Sequence, residues 1–274
     1  MKPSNFWADH VSMYLALEPY VEEFERDKNE CKCITSLSSI KDAKYEKVNT
    51  KEVAANQSHL SQQQKEDLAK VLAKHEELFD GTLGKYPHKK IHLELLDGAE
   101  PVHQKAYPVA HAHQQAFQKE LLHLVEVGVL ERCGATEWGS PTFIIPKKDG
   151  RIRWVSDFRQ LNAVIKRKQY PLPVIHDVLR RRSGYKFLTK IDLTMCYYTY
   201  ELDDESADLC VIVTPYGKFK YKRLPMGIKQ SPDFAQEIIE EVLRGMDVET
   251  YINDIGAFDN DWETHMRSID EILR

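Results

Sequence analysis

A chain of 274 residues with 42% apolar and 30% charged content is long enough for one large domain or two small ones, which excludes wholesale disorder. No run approaches the roughly 18 to 20 consecutive apolar residues of a membrane span, and Asp9, Glu18 and Glu22 interrupt the N-terminus where a signal peptide needs an apolar core, so an intracellular protein is expected. The formal charge of −5 hides a segregation, because residues 141 to 190 hold 13 Lys and Arg against Asp149, Asp157 and Asp177, a balance of +10 between flanking stretches of −5 and −10. Such a block, with Phe143, Trp154, Phe158, Tyr170, Tyr185 and Phe187 among its cations, suits a polyanion with stacking surfaces, and a solvated basic face is the bland alternative. Five cysteines without zinc-site or scaffold spacing read as reduced thiols.

Residues 1 to 55 show little periodicity and read as a loosely ordered lead-in. From Ser61 a capping box with Gln64 opens an amphipathic helix through Leu68, Val71, Leu72, Leu78 and Phe79, stopped by Asp80 and Gly81. Ile91, Leu93 and Leu95 alternate as a short strand, and a second helix is expected from His113 to Val129. Residues 56 to 135 thus form a helical segment ahead of a strand-rich region, 136 to 274. There, Thr142 to Pro146 and Ile152 to Phe158 flank a turn at Lys148, Asp149 and Gly150 as a hairpin. A helix near Ile175 to Arg182 precedes strands at Lys186 to Leu193 and Tyr197 to Leu202. Two more strands, Val211 to Thr214 and Lys218 to Leu224, are followed by a helix from Pro232 to Arg244. Val248 to Ile252 and Ile255 to Phe258 bracket Asn253 and Asp254 as a second hairpin, and a final helix begins near Trp262. The order implies an α+β sheet.

Asp192 ends an apolar strand and Asp254 sits at a hairpin tip, and two acids at strand ends can converge on divalent cations for phosphoryl transfer. Taken singly, each is more readily a solubilising strand-end acid. The surrounding motifs carry more: GSPTFIIPKKDG at Gly139 to Gly150, RWVSDFRQLN at Arg153 to Asn162, LTKID at Leu188 to Asp192, LPMGIKQSP at Leu224 to Pro232, and YIND at Tyr251 to Asp254. In that order they resemble the reverse transcriptases of gypsy-type LTR retrotransposons, with a likeness running from about Leu60 to the C-terminus.

The resemblance implies the fingers and palm of a right-hand polymerase, with thumb and RNase H absent, as in a truncated piece of a Pol polyprotein. It implies RNA-directed DNA polymerase activity with two Mg²⁺ ions, Mn²⁺ serving in their place, on a primed RNA or DNA template with deoxynucleoside triphosphates and no membrane partner. Residue by residue, Asp192, Asn253 and Asp254 match the catalytic acids, with Asp192 and Asp254 as metal ligands. Lys147 and Arg153 match the fingers cations that grip the triphosphate, Tyr197 the aromatic gate against a ribose 2′-hydroxyl, and Met226 and Gly227 further nucleotide-binding positions, Gly227 in the loop beneath the templating base pair. Gln230, Ser231 and Pro232 match the helix start beneath the template-primer. Asn253 departs from the family's aspartate, and a neutral amide is a poor Mg²⁺ ligand, so impaired polymerisation is expected. A catalytically inactive nucleic-acid-binding remnant is the alternative.

Overall fold

The computed structural model describes residues 12–14, 47–146 and 152–274. In chain order its elements are β1 (Ser12–Tyr14), α1 (Thr50–Ala55), α2 (Gln62–Lys74), α3 (Gln114–Glu126), β2 (Leu130–Cys133), β3 (Ser140–Pro146), β4 (Ile152–Ser156), α4 (Arg159–Val164) and α5 (Ile175–Arg181). There follow β5 (Phe187–Asp192), α6 (Asp204–Leu209), β6 (Val211–Thr214), β7 (Gly217–Tyr221), α7 (Ser231–Val242), β8 (Val248–Tyr251), β9 (Asp254–Asp259) and α8 (Trp262–Ile272). The fold is α+β, in two compact units. One gathers Leu83–Leu172 and Met195–Ile238, and the other gathers Pro173–Thr194 and Ile239–Arg274 with the described residues before residue 83.

The first unit carries a five-stranded sheet in the order β2-β7-β6-β3-β4. The expected hairpin is β3 against β4, antiparallel from Thr142 opposite Ser156 to Pro146 opposite Ile152, while β3 joins β6 in parallel at Ser140 and Pro141. Helix α3 buries Phe117, Leu121 and Leu124 at i, i+4 and i+7. Phe117 meets Trp154 at a ring separation of 4.7 Å. The helix stops where Gly128 takes φ 75°, a left-handed position that costs glycine little.

The second unit carries the sheet β1-β5-β9-β8. Along β5, Thr189 and Ile191 are buried, and along β9 Ile255 and Ala257 are, so Lys190, Asp192, Asp254 and Gly256 alternate onto the opposite face. Helix α8 packs its buried Met266, Ile269 and Ile272 against this sheet and against α2, each such side chain adding about 1.5 to 3 kcal/mol of hydrophobic stabilisation. The anticipated capping box opens α2: the Gln64 amide N–H donates to Ser61 Oγ at 3.3 Å and the Ser61 N–H to Gln64 Oε1 at 2.9 Å. Lys74 and His75 at its end reach Asp270 of α8. Helix α1, packed on α2, lies within the stretch expected as lead-in.

Four expectations need correcting. The helix expected from Ser61 through Leu78 and Phe79 ends at Lys74, because His75 leaves the helical region at φ −120°, and Glu76–Phe79 is a separate 3-10 turn. The run Ile91 to Leu95 forms isolated bridges instead of a strand, because its backbone bonds go to three places: Ile91 to Glu201, Leu93 to the Ser206 hydroxyl, and Glu94 to Lys166. Its alternation reflects buried Ile91 and Leu93 without a ladder. The expected strand from Tyr197 is a 3-10 turn, Cys196–Thr199, entered through Met195 at φ 54° and closed by the Thr199 hydroxyl donating to the Cys196 carbonyl at 2.6 Å. The second strand of the first hairpin ends at Ser156 because Asp157 turns the chain into α4, its Oδ1 accepting the Arg159 N–H at 3.2 Å. Cys133, Cys196 and Cys210 are free thiols, while Cys31, Cys33 and the Lys148 to Gly150 turn lie outside the described residues. Among the described residues no helix is long and apolar enough to cross a membrane.

Candidate polymerase site

Within the second unit, Asp192, Asn253 and Asp254 come together as the motifs require. Strands β5 and β9 are antiparallel neighbours with Asp192 directly opposite Asp254, and Tyr251 of β8 pairs with Asp254 from the other side. Between Tyr251 and Asp254 the chain reverses through Ile252 at φ 59°, an unusual conformation for a β-branched residue. The reversal is pinned by the Leu193 N–H donating to the Asn253 carbonyl at 2.7 Å. The tip is thus Ile252 and Asn253, one residue earlier than the expected turn at Asn253 and Asp254, and the hairpin delivers Asn253 from its tip and Asp254 from the start of β9 to the end of β5.

The electrostatics of this cluster follow from the departure at 253. Asn253 Nδ2 donates to Asp192 Oδ1 at 2.8 Å, and Lys190, two residues before Asp192 on the same face, places its ammonium 2.9 Å from Asp254 Oδ2. Asp254 Oδ1 is buried and without a hydrogen-bond partner. An orphaned anionic oxygen is costly in a protein interior and marks a place where a cation fits. Two carboxylates side by side fit a divalent cation, although among the described residues no three His, Cys, Asp or Glu side chains gather as a metal group and the amide of Asn253 presents its N–H to Asp192. Lys190 is part of the LTKID motif but received no role there, although strand alternation alone puts it on the face of Asp192.

The remaining candidates belong to the first unit, except Lys147, which lies outside the described residues. Arg153 is on β4 opposite Ile145, and Tyr197 is half-buried in the 3-10 turn. Gly227 takes φ 99° in the loop ahead of α7, where an added Cβ would come within 3.3 Å of the Ser156 carbonyl. Asn162 of α4 braces that loop, Nδ2 donating to the Gly227 carbonyl at 2.6 Å and Oδ1 accepting the Lys229 N–H at 2.8 Å. Gln230 donates to the Lys168 carbonyl at 3.2 Å, and Ser231 to the Pro225 carbonyl at 2.9 Å. Both are buried, whereas Pro232 and Met226 are half-buried.

Gly227 also lines an open cleft of about 660 Å³ with Tyr107, Phe143, Phe158, Asp157, Arg159 and Asn162. Asp157 is its electrostatic centre. Bidentate Arg159 hydrogen bonds at 2.8 and 2.7 Å, with the Tyr107 hydroxyl at 3.0 Å, hold its carboxyl down at about 2. Aromatic faces, a glycine-lined wall and a fixed carboxylate–guanidinium pair form a surface for a planar, hydrogen-bonding group. The motif RWVSDFRQLN contains Asp157, Arg159 and Asn162 without giving them roles, because the Tyr107 hydroxyl that meets Asp157 and the Gly227 loop that Asn162 braces lie 50 and 65 residues away along the chain.

Residues 145–274 match the family model described as "Reverse transcriptase (RNA-dependent DNA polymerase)". A Caenorhabditis elegans protein, "Uncharacterized protein K02A2.6", is 34% identical over 201 residues, 72% of this chain. The "Retrovirus-related Pol polyprotein from transposon gypsy" of Drosophila melanogaster is 29% identical over 184 residues, 64% of the chain. The chain spans only 16% and 18% of those two relatives. Among solved structures, the foamy viral protease-reverse transcriptase in complex with an RNA/DNA hybrid superposes with a TM-score of 0.74 at 19% identity, covering 82% of this chain and 31% of that one.

Proposed function

Because residues 145–274 belong to the reverse transcriptase family, we propose that this chain supplies the fingers and palm of an RNA-directed DNA polymerase, with residues 136 to 274 as the core and 56 to 135 leading into the fingers. The observation that carries the reading is Asp192 directly opposite Asp254 with a buried, unpartnered carboxylate oxygen between strand ends. Asp192 and Asp254 bind divalent metal, Mg²⁺ with Mn²⁺ as substitute. What a bound cation supplies is charge neutralisation at the triphosphate and activation of the attacking oxygen. The chain's own residues do the rest. Lys147 and Arg153 grip the triphosphate of an incoming deoxynucleotide, a tetra-anion that calls for paired cations. Tyr197 closes the sugar side of the nucleotide site, and Met226 and Gly227 form its floor. Gln230, Ser231 and Pro232 support the template-primer, and the cleft around Asp157 and Arg159 takes the template strand.

Asn253 weakens this centre in two ways. It contributes no charge to a cation, and its amide N–H already occupies one oxygen of Asp192. That hydrogen bond favours the second reading, a protein that binds primed template without extending it. Primer extension in Mg²⁺ and in Mn²⁺, run beside filter binding of the same primer-template, tests both. Slow synthesis raised at least tenfold by Asn253→Asp supports an impaired polymerase. Binding with no synthesis in either protein supports the remnant, and no binding at all ends both readings.

A further inference from the structure

We infer that Lys190 is a built-in counter-cation of the carboxylate pair, one that holds Asp254 when no metal is bound and must be displaced from it by a divalent cation. The inference rests on the reading of Asp192 and Asp254 as cation ligands and adds a residue with an opposing role. Lys190 lies opposite Gly256 in the β5–β9 ladder, so Asp254 is its diagonal neighbour two residues along, within reach of a long side chain, and no side chain at 256 stands between them. Its ammonium sits 2.9 Å from Asp254 Oδ2, while Asn253 donates to Asp192 Oδ1. Each acid thus already has a donor of positive character. Lys190, Asp192 and Asp254 together carry a single net negative charge, against the double charge of the ion they must attract.

The ion pair is weak enough to be exchanged. The Lys190 and Asp254 side chains are 39% and 29% exposed, a setting in which mutual attraction is largely screened. The lysine stem is long and flexible, so its head can leave Asp254 for solvent without moving the strand. A divalent cation on Asp254 would still feel the retained positive charge a few ångströms away, and Lys190 therefore sets the affinity of the site downward in addition to Asn253.

The test measures Mn²⁺ binding by the electron paramagnetic resonance signal of the free ion, using the whole chain without nucleic acid. Lys190→Met is expected to bind Mn²⁺ roughly tenfold more tightly than the unsubstituted protein, the effect of removing a unit charge about 5 Å from a divalent ion in near-aqueous surroundings. Lys190→Arg, which keeps the charge, should bind as the unsubstituted protein does, and Asp254→Asn should erase the gain from Lys190→Met. Lys190→Gln serves as a second neutral variant, with circular dichroism showing that each is folded. Equal or weaker binding by both neutral variants overturns the role of Lys190 alone. Absence of Mn²⁺ binding in every variant, Asn253→Asp included, overturns the cation reading and this inference with it.

Discussion

At the scale of single residues, the decisive groups are carboxylates whose partners differ. Asp192 and Asp254 meet an amide and an ammonium, whereas Asp157, buried at 8% exposure, meets the Arg159 fork and the Tyr107 hydroxyl. Because Arg159 holds the folded carboxyl at about 2, below its ordinary value of 3.8, Asp157 stabilises the fold above 3.8 and loses that contribution as pH falls towards 2. Asp157→Asn is expected to cost about 1.5 to 3 kcal/mol at neutral pH, the range for hydrogen bonds to a charged group. Urea denaturation across a pH series should show the two proteins converging between 3.8 and 2, and a constant difference there would contradict the assignment. That Asp192 and Asp254 meet was legible from the ordered motifs around them, since a strand-end acid alone is more readily a solubilising group. The Asp157 cluster was not, since Tyr107 lies 50 residues upstream and nothing local marks it as the partner.

At the scale of elements, the β5–β9 pair is clamped at one end and functional at the other. Phe187 opposite Asp259 begins the ladder, and Asp192 opposite Asp254 ends it. His265 of α8, fully buried, holds the first end: Nε2 lies 2.7 Å from the Thr189 hydroxyl, and Nδ1 lies 2.7 Å from Asp259 Oδ2. His265→Ala leaves both partners wanting and opens a cavity, a loss of about 2 to 4 kcal/mol expected in chemical denaturation. Burial pushes the His265 imidazole below its ordinary 6.5 despite Asp259, so the unfolded chain binds the proton more readily. Stability present above 6.5 is therefore lost as pH falls below it, and that acid loss should vanish in His265→Ala. At the start of α2, Ser61→Ala removes half of a capping box and should cost about 1 kcal/mol, read from the same denaturation curves. Helices and ladder strands were readable because apolar spacing and caps are local. The bridges at Ile91 and Leu95 and the turn at Cys196 were not: alternating burial reports which side chains face inward, and ladder pairing depends on where distant backbone goes.

At the scale of the whole molecule, the basic block of residues 141 to 190 changes meaning once folded. Of its ten described cations, eight are engaged in ion pairs: Arg159, Lys166, Arg167, Lys168, Arg180, Arg181, Arg182 and Lys190. Several partners, among them Glu94, Asp233, Asp247, Glu249 and Asp254, come from the acidic stretches on either side. The sequence segregates charge along the chain, and folding within each unit largely recombines it. A duplex contacting this protein would displace far fewer counterions than the local excess of +10 suggests. Each phosphate neutralised steepens the fall of log affinity with log salt by about 0.9 for a duplex, so engagement of the entire block would give a slope near −9. The expected slope for a primer-template duplex is shallower than about −5, because cations already paired release little on binding. Filter binding between 50 and 300 mM KCl measures it. A slope near −9 would mean that those ion pairs open to bind phosphate, and that the basic block acts as one polyanion surface after all.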